Sequence, residues 1–330
     1  MKVHVYDDTF SGEAEAQLTD FHNSVKEAPF FQSVGFFNAT SGNRNYRPVF
    51  FVITDDADKL IGSLLAHHIS ILPFAYRFTS FTLLVGEPVL EHNVDKNIIL
   101  GLFLSELKKH FSGKSLFIEF RNLNDLSQFD EIFNKNGFQF ENWLNSEIST
   151  ADFSTMLGNV TRNKQKQITE AETLGIITRP ASNAKEVDIF YRQLKRFYLF
   201  SLHRPLPPKK VFMNLYSQAL SKNSIIPVII TLNNGRIIGG MVCPYDSSRM
   251  YEWYICNSYK NKSDQLAGVA TTWGGLKYAF ESGLGLFNFM GLGKPEKEYG
   301  VRRFKRQFGG NENNFGRYIY RTSKHLSKTL

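Results

Sequence analysis

The sequence predicts an α/β protein built as two tandem domains, each a mixed sheet flanked by helices. Three observations carry that expectation: the length of 330 residues, the alternation of strand pairs with amphipathic helices, and a pattern in the first half that returns in the second. Domains usually hold about 100–200 residues, so the length favours two, placed here at 1–150 and 151–330. Hydrophobic residues at 42% and charged residues at 21% give a globular balance with material for a packed core, which excludes disorder as a description of the whole chain.

The elements follow in order. Val49–Thr54 and Leu60–Ile69 read as strands joined by the Asp55-Asp56-Ala57-Asp58 turn, and Lys96–His110 as an amphipathic helix leading to a strand at Leu116–Phe120. Farther on, Ile225–Leu232 and Arg236–Pro244 form a second strand pair around Asn233-Asn234-Gly235, an Asn-Gly turn suited to a tight hairpin. A strand at Arg249–Cys256, a helix at Gly268–Ser282 and a strand at Leu286–Met290 complete that half. Without gaps, Phe51–Ala66 aligns with Val228–Cys243: Ile53 meets Ile230, Thr54 meets Thr231, Ile61 meets Ile238 and Gly62 meets Gly239. Leu107–Phe120 and Leu276–Met290 repeat the helix-then-strand order at a similar offset, so the fold is expected to be duplicated.

Between the halves, Asn159-Val160-Thr161 offers side-chain caps to a helix over Thr161–Leu174. Its first turns carry Arg162, Lys164 and Lys166. Cations there oppose the helix dipole at about 0.3–1 kcal/mol each when exposed, a cost that a bound anion would offset. A further helix over 184–200 and a segment over Pro207–Leu220 flank a Pro-rich loop holding His203.

Several classes are excluded. The longest apolar runs fall well short of the roughly 20 residues a membrane-spanning helix needs. The first residues lack an apolar core behind the initial positive charge, so no secretory signal is visible and a cytoplasmic location is expected. Cys243 and Cys256 have no Cys-x-x-Cys spacing, His67-His68 point to opposite strand faces, and no metal site or disulfide is expected.

The net charge of +8 is concentrated near the end: residues 290–330 hold ten Lys or Arg against Glu296, Glu298 and Glu312. Such an end suits an anionic partner, whether a phosphate, a nucleic acid or a lipid surface.

The richest segment is Phe287-Asn288-Phe289-Met290-Gly291-Leu292-Gly293-Lys294-Pro295, continuing to Phe304-Lys305-Arg306-Gln307-Phe308-Gly309-Gly310. It resembles the FemAB family, whose members end the second of two GNAT-like domains with a strand, a Gly-rich loop and a Phe-Lys-x-x-Phe-Gly-Gly helix. Phe30-Phe31-Gln32-Ser33, Gly86-Glu87-Pro88-Val89, the basic helix after Thr161 and Trp273 agree with that family, so the resemblance spans nearly the whole chain. Gln265-Leu266-Ala267-Gly268-Val269-Ala270 resembles the pyrophosphate loop of GNAT acyltransferases, in which backbone N–H groups at a helix start face the anion.

The resemblance implies amide formation: an aminoacyl group from a charged tRNA, or an acyl group from a CoA thioester, passes to an amine acceptor such as the peptide of a lipid- or nucleotide-linked cell-wall precursor. No permanently bound cofactor is implied. Lys305 matches the family's lysine and is assigned to stabilising the developing oxyanion, with Phe304 shaping the donor site. Gln265, Gly268, Ala270, Gly291, Gly293 and Lys294 are the donor-binding candidates. Glu252, on a strand among aromatics that would raise its pKa, is the candidate general base. Arg162, Lys164, His203 and Arg44 are the acceptor-binding candidates, in a groove expected between the domains. Phe36-Phe37-Asn38-Ala39-Thr40 follows the Gln-Ser motif where relatives using nucleotide-linked acceptors carry a cation, and no long helical hairpin interrupts the second half. Two alternatives remain open: an acyl-CoA-dependent N-acyltransferase, and a non-catalytic protein of the same fold whose basic end holds a polyanion or contacts a membrane surface.

Overall fold

The computed structural model describes residues 1–25, 28–71, 79–221, 228–258 and 262–322, and the chain divides into two units. Met1–Trp143 and Asn314–Leu330 form the first; Leu144–Asn313 form the second. The boundary expected at 150/151 therefore falls at 143/144, and the last segment returns to the first unit.

In the first unit, strands β1 (Lys2–Asp7), β2 (Tyr46–Thr54), β3 (Leu60–Ser70), β4 (Ser80–Val85), β5 (Val89–Leu90), β6 (Phe117–Arg121), β7 (Gln139–Glu141) and the late β16 (Arg317–Arg321) form one sheet. Its order is β1-β2-β3-β4-β6-β16-β7, with β5 beside β3, and β4 with β6 is the parallel pair. β2 is apolar on both faces because both are covered. Phe50 meets Phe10 and Phe37 on the side of α1 (Gly12–Ser24) and α2 (Val34–Thr40), while Val49, Phe51 and Ile53 join the core under α3 (Lys96–Phe111). Asp95 starts α3 by accepting hydrogen bonds from the N–H groups of Asn97 and Ile98, and Ile99, Leu100, Phe103, Leu104 and Leu107 form its buried stripe. Short α4 (Asp130–Lys135) follows β6.

The second unit contains β8 (Leu144–Ser149), α5 (Phe153–Asn159), α6 (Arg162–Thr173), β9 (Ile177–Pro180), α7 (Ala184–Phe197), α8 (Lys209–Ser221), β10 (Val228–Asn233), β11 (Arg236–Val242), β12 (Arg249–Tyr251), β13 (Tyr254–Asn257), α9 (Ala267–Glu281), β14 (Leu286–Gly293), α10 (Gly300–Arg306) and β15 (Asn311–Asn313). Two four-stranded sheets result, β13-β11-β10-β9 and β12-β14-β8-β15. α9 lays Trp273, Leu276 and Ala279 into a core with Ile229, Met241, Ile148, Phe287 and Phe289.

The hairpins over 46–70 and 228–242 repeat, as does the helix-then-strand succession of α3–β6 and α9–β14. The correspondence is displaced by one residue at the bulge: the pairing shifts after Ile53 in the first hairpin and after Thr231 in the second. One sheet in each unit also receives a strand from outside its own run of sequence order. β16 lies between β6 and β7, and β8 lies between β14 and β15.

Other expectations are corrected. The single strand at Arg249–Cys256 is broken at Glu252-Trp253, because β12 pairs in parallel with β14 whereas β13 pairs antiparallel with β11. Thr161 begins α6 without a side-chain cap; Thr161 N–H donates to the Gln307 carbonyl, and the Gln165 amide reaches back to the carbonyls of Leu157 and Val160. The helix over 184–200 stays α-helical only to Phe197 and continues as a π-helical turn over Tyr198–Leu202. Residues 225–227 of the expected strand, and Lys324 and Lys328 of the basic end, lie outside the described residues. Cys243 and Cys256 are buried and free.

Candidate functional site

The break between β12 and β13 organises the site. Glu252 N–H still donates to Asn288 of β14, and Trp253 N–H already donates to Val242 of β11, so consecutive residues belong to different sheets. Beyond Asn288, β14 has lost β12 as a partner and bulges: Met290 takes φ 57°, and its N–H is held by the Asn288 side chain. A backbone carbonyl at such a place needs another donor. Lys305 supplies it, with Nζ 2.6 Å from the Phe289 carbonyl.

α10 is placed to deliver that side chain. Its Arg302 is fully buried and donates to the carbonyls of Leu292, Lys294 and Pro295, so one guanidinium satisfies the chain leaving β14. Past the end of the helix, Gly309 and Gly310 take φ 88° and 101°. A Cβ on Gly310 would stand 2.8 Å from the Glu147 carbonyl of β8, so only glycine lets the chain turn there into β15.

Lys305 and Glu252 meet at 2.8 Å, with side chains only 9% and 2% exposed. Burial raises the Glu252 carboxyl above its ordinary range, and the Lys305 ammonium opposes that rise. Glu252 Oε2 is buried without a hydrogen-bond partner among the described residues. The ammonium has three N–H groups; two are directed to Glu252 and the Phe289 carbonyl, and the third has no hydrogen-bond acceptor among the described residues, Nζ lying 5.4 Å from the Phe289 ring centre. Nearby, burial and then Glu252 push the Cys243 thiol well above its usual value, which leaves it an inert apolar neighbour.

A second group surrounds the start of α9, which has no side-chain cap. Phe304 is half-buried, and its ring lies 3.8 Å from where a Cβ on Gly268 would stand. Lys164, buried on α6, holds its ammonium 4.9 Å from the Phe304 ring centre and donates to Gln167; desolvation lowers its pKa. Thr271 on α9 links Asn257, Thr231 and the Ala267 carbonyl.

The remaining candidates are not gathered here. Gln265, Lys294, Arg162 and His203 are exposed, His203 in the left-handed region at φ 50°. Arg44 is exposed in the first unit. Gly291 and Gly293 lie within β14 rather than in a loop after it; a Cβ on Gly293 would strike the Tyr299 ring at 2.7 Å, which gives that glycine a packing reason. Ala270 lines a cavity of about 410 Å³ with Ile168, Ile176, Ile229 and Trp273, to which Lys305, Glu252 and Phe304 do not contribute. The basic end is largely committed within the fold: Arg306 pairs with Glu298 and Glu312, Arg317 with Glu119, and Arg321 with Glu141.

Sequence reasoning nominated Lys305 and Glu252 separately and missed their pairing. It counted Arg302 only among the cations of residues 290–330. Nothing local distinguishes a buried guanidinium from its exposed neighbour Arg303. The Gln32 motif proves to be a structural tie: its carboxamide, fully buried, bonds Leu65 on β3 and the Val85 carbonyl on β4.

No family model and no curated protein matches the sequence. Solved structures do match in fold. FemX superimposes with a TM-score of 0.69 at 12% identity, covering 97% of each chain. L-PGS from Bacillus licheniformis gives 0.59 at 13% identity, over 96% of this chain and 93% of that one. A tandem GNAT protein from the clavulanic acid biosynthesis pathway gives 0.58 at 7% identity, over 98% and 99%. The duplicated hairpins, the parallel strand pair in each unit and these full-length likenesses agree: the chain has the FemAB-like tandem GNAT fold.

Proposed function

We propose that the second unit carries an acyltransferase centre that forms an amide between an activated donor, foremost the aminoacyl ester of a charged tRNA, and an amine acceptor. The observation that carries this reading is the Lys305 ammonium, held between Glu252 and the Phe289 carbonyl at the point where two sheets part, with one N–H given no acceptor among the described residues. FemX, L-PGS and the tandem GNAT protein share the fold and supply the reaction class by likeness.

The amine nitrogen attacks the donor carbonyl carbon, a C–N bond forms, and the carbonyl oxygen takes the negative charge. The unassigned Lys305 N–H is the donor for that oxyanion, and in a dry site a fixed donor of this kind contributes far more than in water. Collapse breaks the ester C–O bond; the amine's proton leaves with the released hydroxyl. Glu252 acts on this reading as the counter-ion that fixes Lys305, rather than as the base expected from sequence, since its free oxygen is buried. Phe304 and Lys164 shape the donor approach beside Gly268, where a Cβ would come only into ordinary van der Waals contact with the ring and the Asn257 side chain.

A donor screen tests the reading, with charged tRNAs and acyl-CoAs offered against candidate amines and products detected by mass. Lys305→Ala should lower kcat/KM by about 10²–10³-fold while donor binding persists. Turnover with acyl-CoA alone would move the donor to a thioester. No product with any donor, together with salt-sensitive polyanion binding that Lys305→Ala weakens, would replace catalysis by a binding role.

A further inference from the structure

The turn closing α7 exposes a concentrated set of apolar side chains. Tyr198–Leu202 wind as one π-helical turn, and His203 redirects the chain at φ 50°. Leu199 is 56% exposed, Phe200 69% and Leu202 36%. Isolated exposed apolar residues are ordinary, but three within four positions form a patch that asks for a partner. The turn is anchored through Tyr198, whose ring meets Tyr254 of β13 edge to face at 5.4 Å.

Charge identifies the partner. Residues 184–210 carry seven Lys or Arg against Glu186 and Asp188, a net of +5. Both acids are already engaged, Glu186 by Arg179 and Asp188 by Arg192 and Lys209. Lys195 and Arg196 before the patch and Arg204 after it are exposed, with no ion pair among the described residues. A nucleic acid would be met by aromatic platforms for stacking, whereas two of the three apolar residues here are leucines. Leucine and phenylalanine at the tip with a cationic rim match the boundary between headgroups and acyl chains in an anionic bilayer.

We propose that residues 195–204 dock on the surface of an anionic lipid bilayer, with Leu199, Phe200 and Leu202 entering the headgroup–acyl boundary and Lys195, Arg196 and Arg204 meeting lipid phosphates. The surface goes beyond the acyl-transfer reading and stands without it. Sedimentation with vesicles of phosphatidylglycerol and phosphatidylcholine, against phosphatidylcholine alone, tests it on the full chain. Binding should be at least tenfold stronger to the anionic vesicles and fall at least tenfold in L199S/F200S/L202S, with the urea midpoint unchanged. Phe200→Trp should gain a fluorescence signal, relative to the parent protein, that lipids brominated in the acyl chain quench. Absence of vesicle binding at low salt, binding that the triple serine variant retains in full, or an F200W signal insensitive to brominated chains would each overturn the proposal. Retention on RNA but not on vesicles, lost in K195Q/R196Q/R204Q, would overturn it in favour of a nucleic-acid surface.

Discussion

Glu252 presents Oε1 to the Lys305 ammonium at 2.8 Å, while Oε2 is buried without a hydrogen-bond partner among the described residues. Such a pair adds little net stability, but removing one member leaves the other uncompensated, at a cost of about 3–5 kcal/mol. Lys305→Met should destabilise the second unit by about that much, and the double variant Glu252→Gln with Lys305→Met should recover most of it. Equilibrium urea unfolding checks this; additive losses would mean the two side chains are not coupled.

The same pair sets a pH dependence. Burial raises the Glu252 pKa and Lys305 opposes it, so without the ammonium the carboxyl stays protonated to higher pH in the folded state than in the unfolded chain. A folded pKa above the unfolded one gives stability that is complete at low pH and lost as pH rises through the folded value. The urea midpoint of Lys305→Met should therefore fall as pH rises from the acid side, and the double variant should show no such fall from this position.

His22 and His67 predict the opposite slope in the first unit. Burial holds them down to about 4 and about 3 respectively, where His22 bonds Ser63 and His67 bonds Thr40. Because the folded values lie below the unfolded 6.5, their contribution is present above that pH and lost as pH falls below it. Each should steepen the acid side by up to about 1.4 kcal/mol per pH unit. His67→Gln should reduce the slope by the share of one proton; an unchanged slope would count against the assignment.

Gly240 is set by space. A Cβ there would lie 2.6 Å from the Ile229 carbonyl and 2.9 Å from the Phe190 ring, whereas one on Gly12 meets nothing within 4 Å. Gly240→Ala should cost about 1–3 kcal/mol, and Gly12→Ala should be neutral or slightly stabilising, by urea unfolding.

Arg302 is expected to be irreplaceable by lysine. An ammonium cannot span the carbonyls of Leu292, Lys294 and Pro295 that the planar guanidinium reaches. Arg302→Lys should cost about 1–3 kcal/mol for each carbonyl left without a partner. A loss below that range by denaturant unfolding would show that the loop finds other donors.

Much of the scaffold was legible because it depends on local periodicity. The 46–70 hairpin follows from two apolar runs about an Asp-rich turn, and α3, α6 and α9 from their apolar residues at helical spacing. The strand break at Glu252-Trp253 was not legible, since every residue from Arg249 to Cys256 suits a strand and the break exists only because β14 and β11 diverge. Placing β8 and β16 was equally beyond local pattern, since both are short and their partners lie far away in sequence.

The order of residues alone determined the alternating elements, the duplicated plan and the kinds of side chain available for chemistry. Only the folded chain decided which of the clustered cations are buried, that Lys305 meets Glu252, and that Arg306, Arg317 and Arg321 are occupied by carboxylates. The reason is physical: helix and strand patterns arise from neighbours a few positions apart, whereas burial and charge pairing are properties of surfaces that exist only after distant strands have closed into sheets.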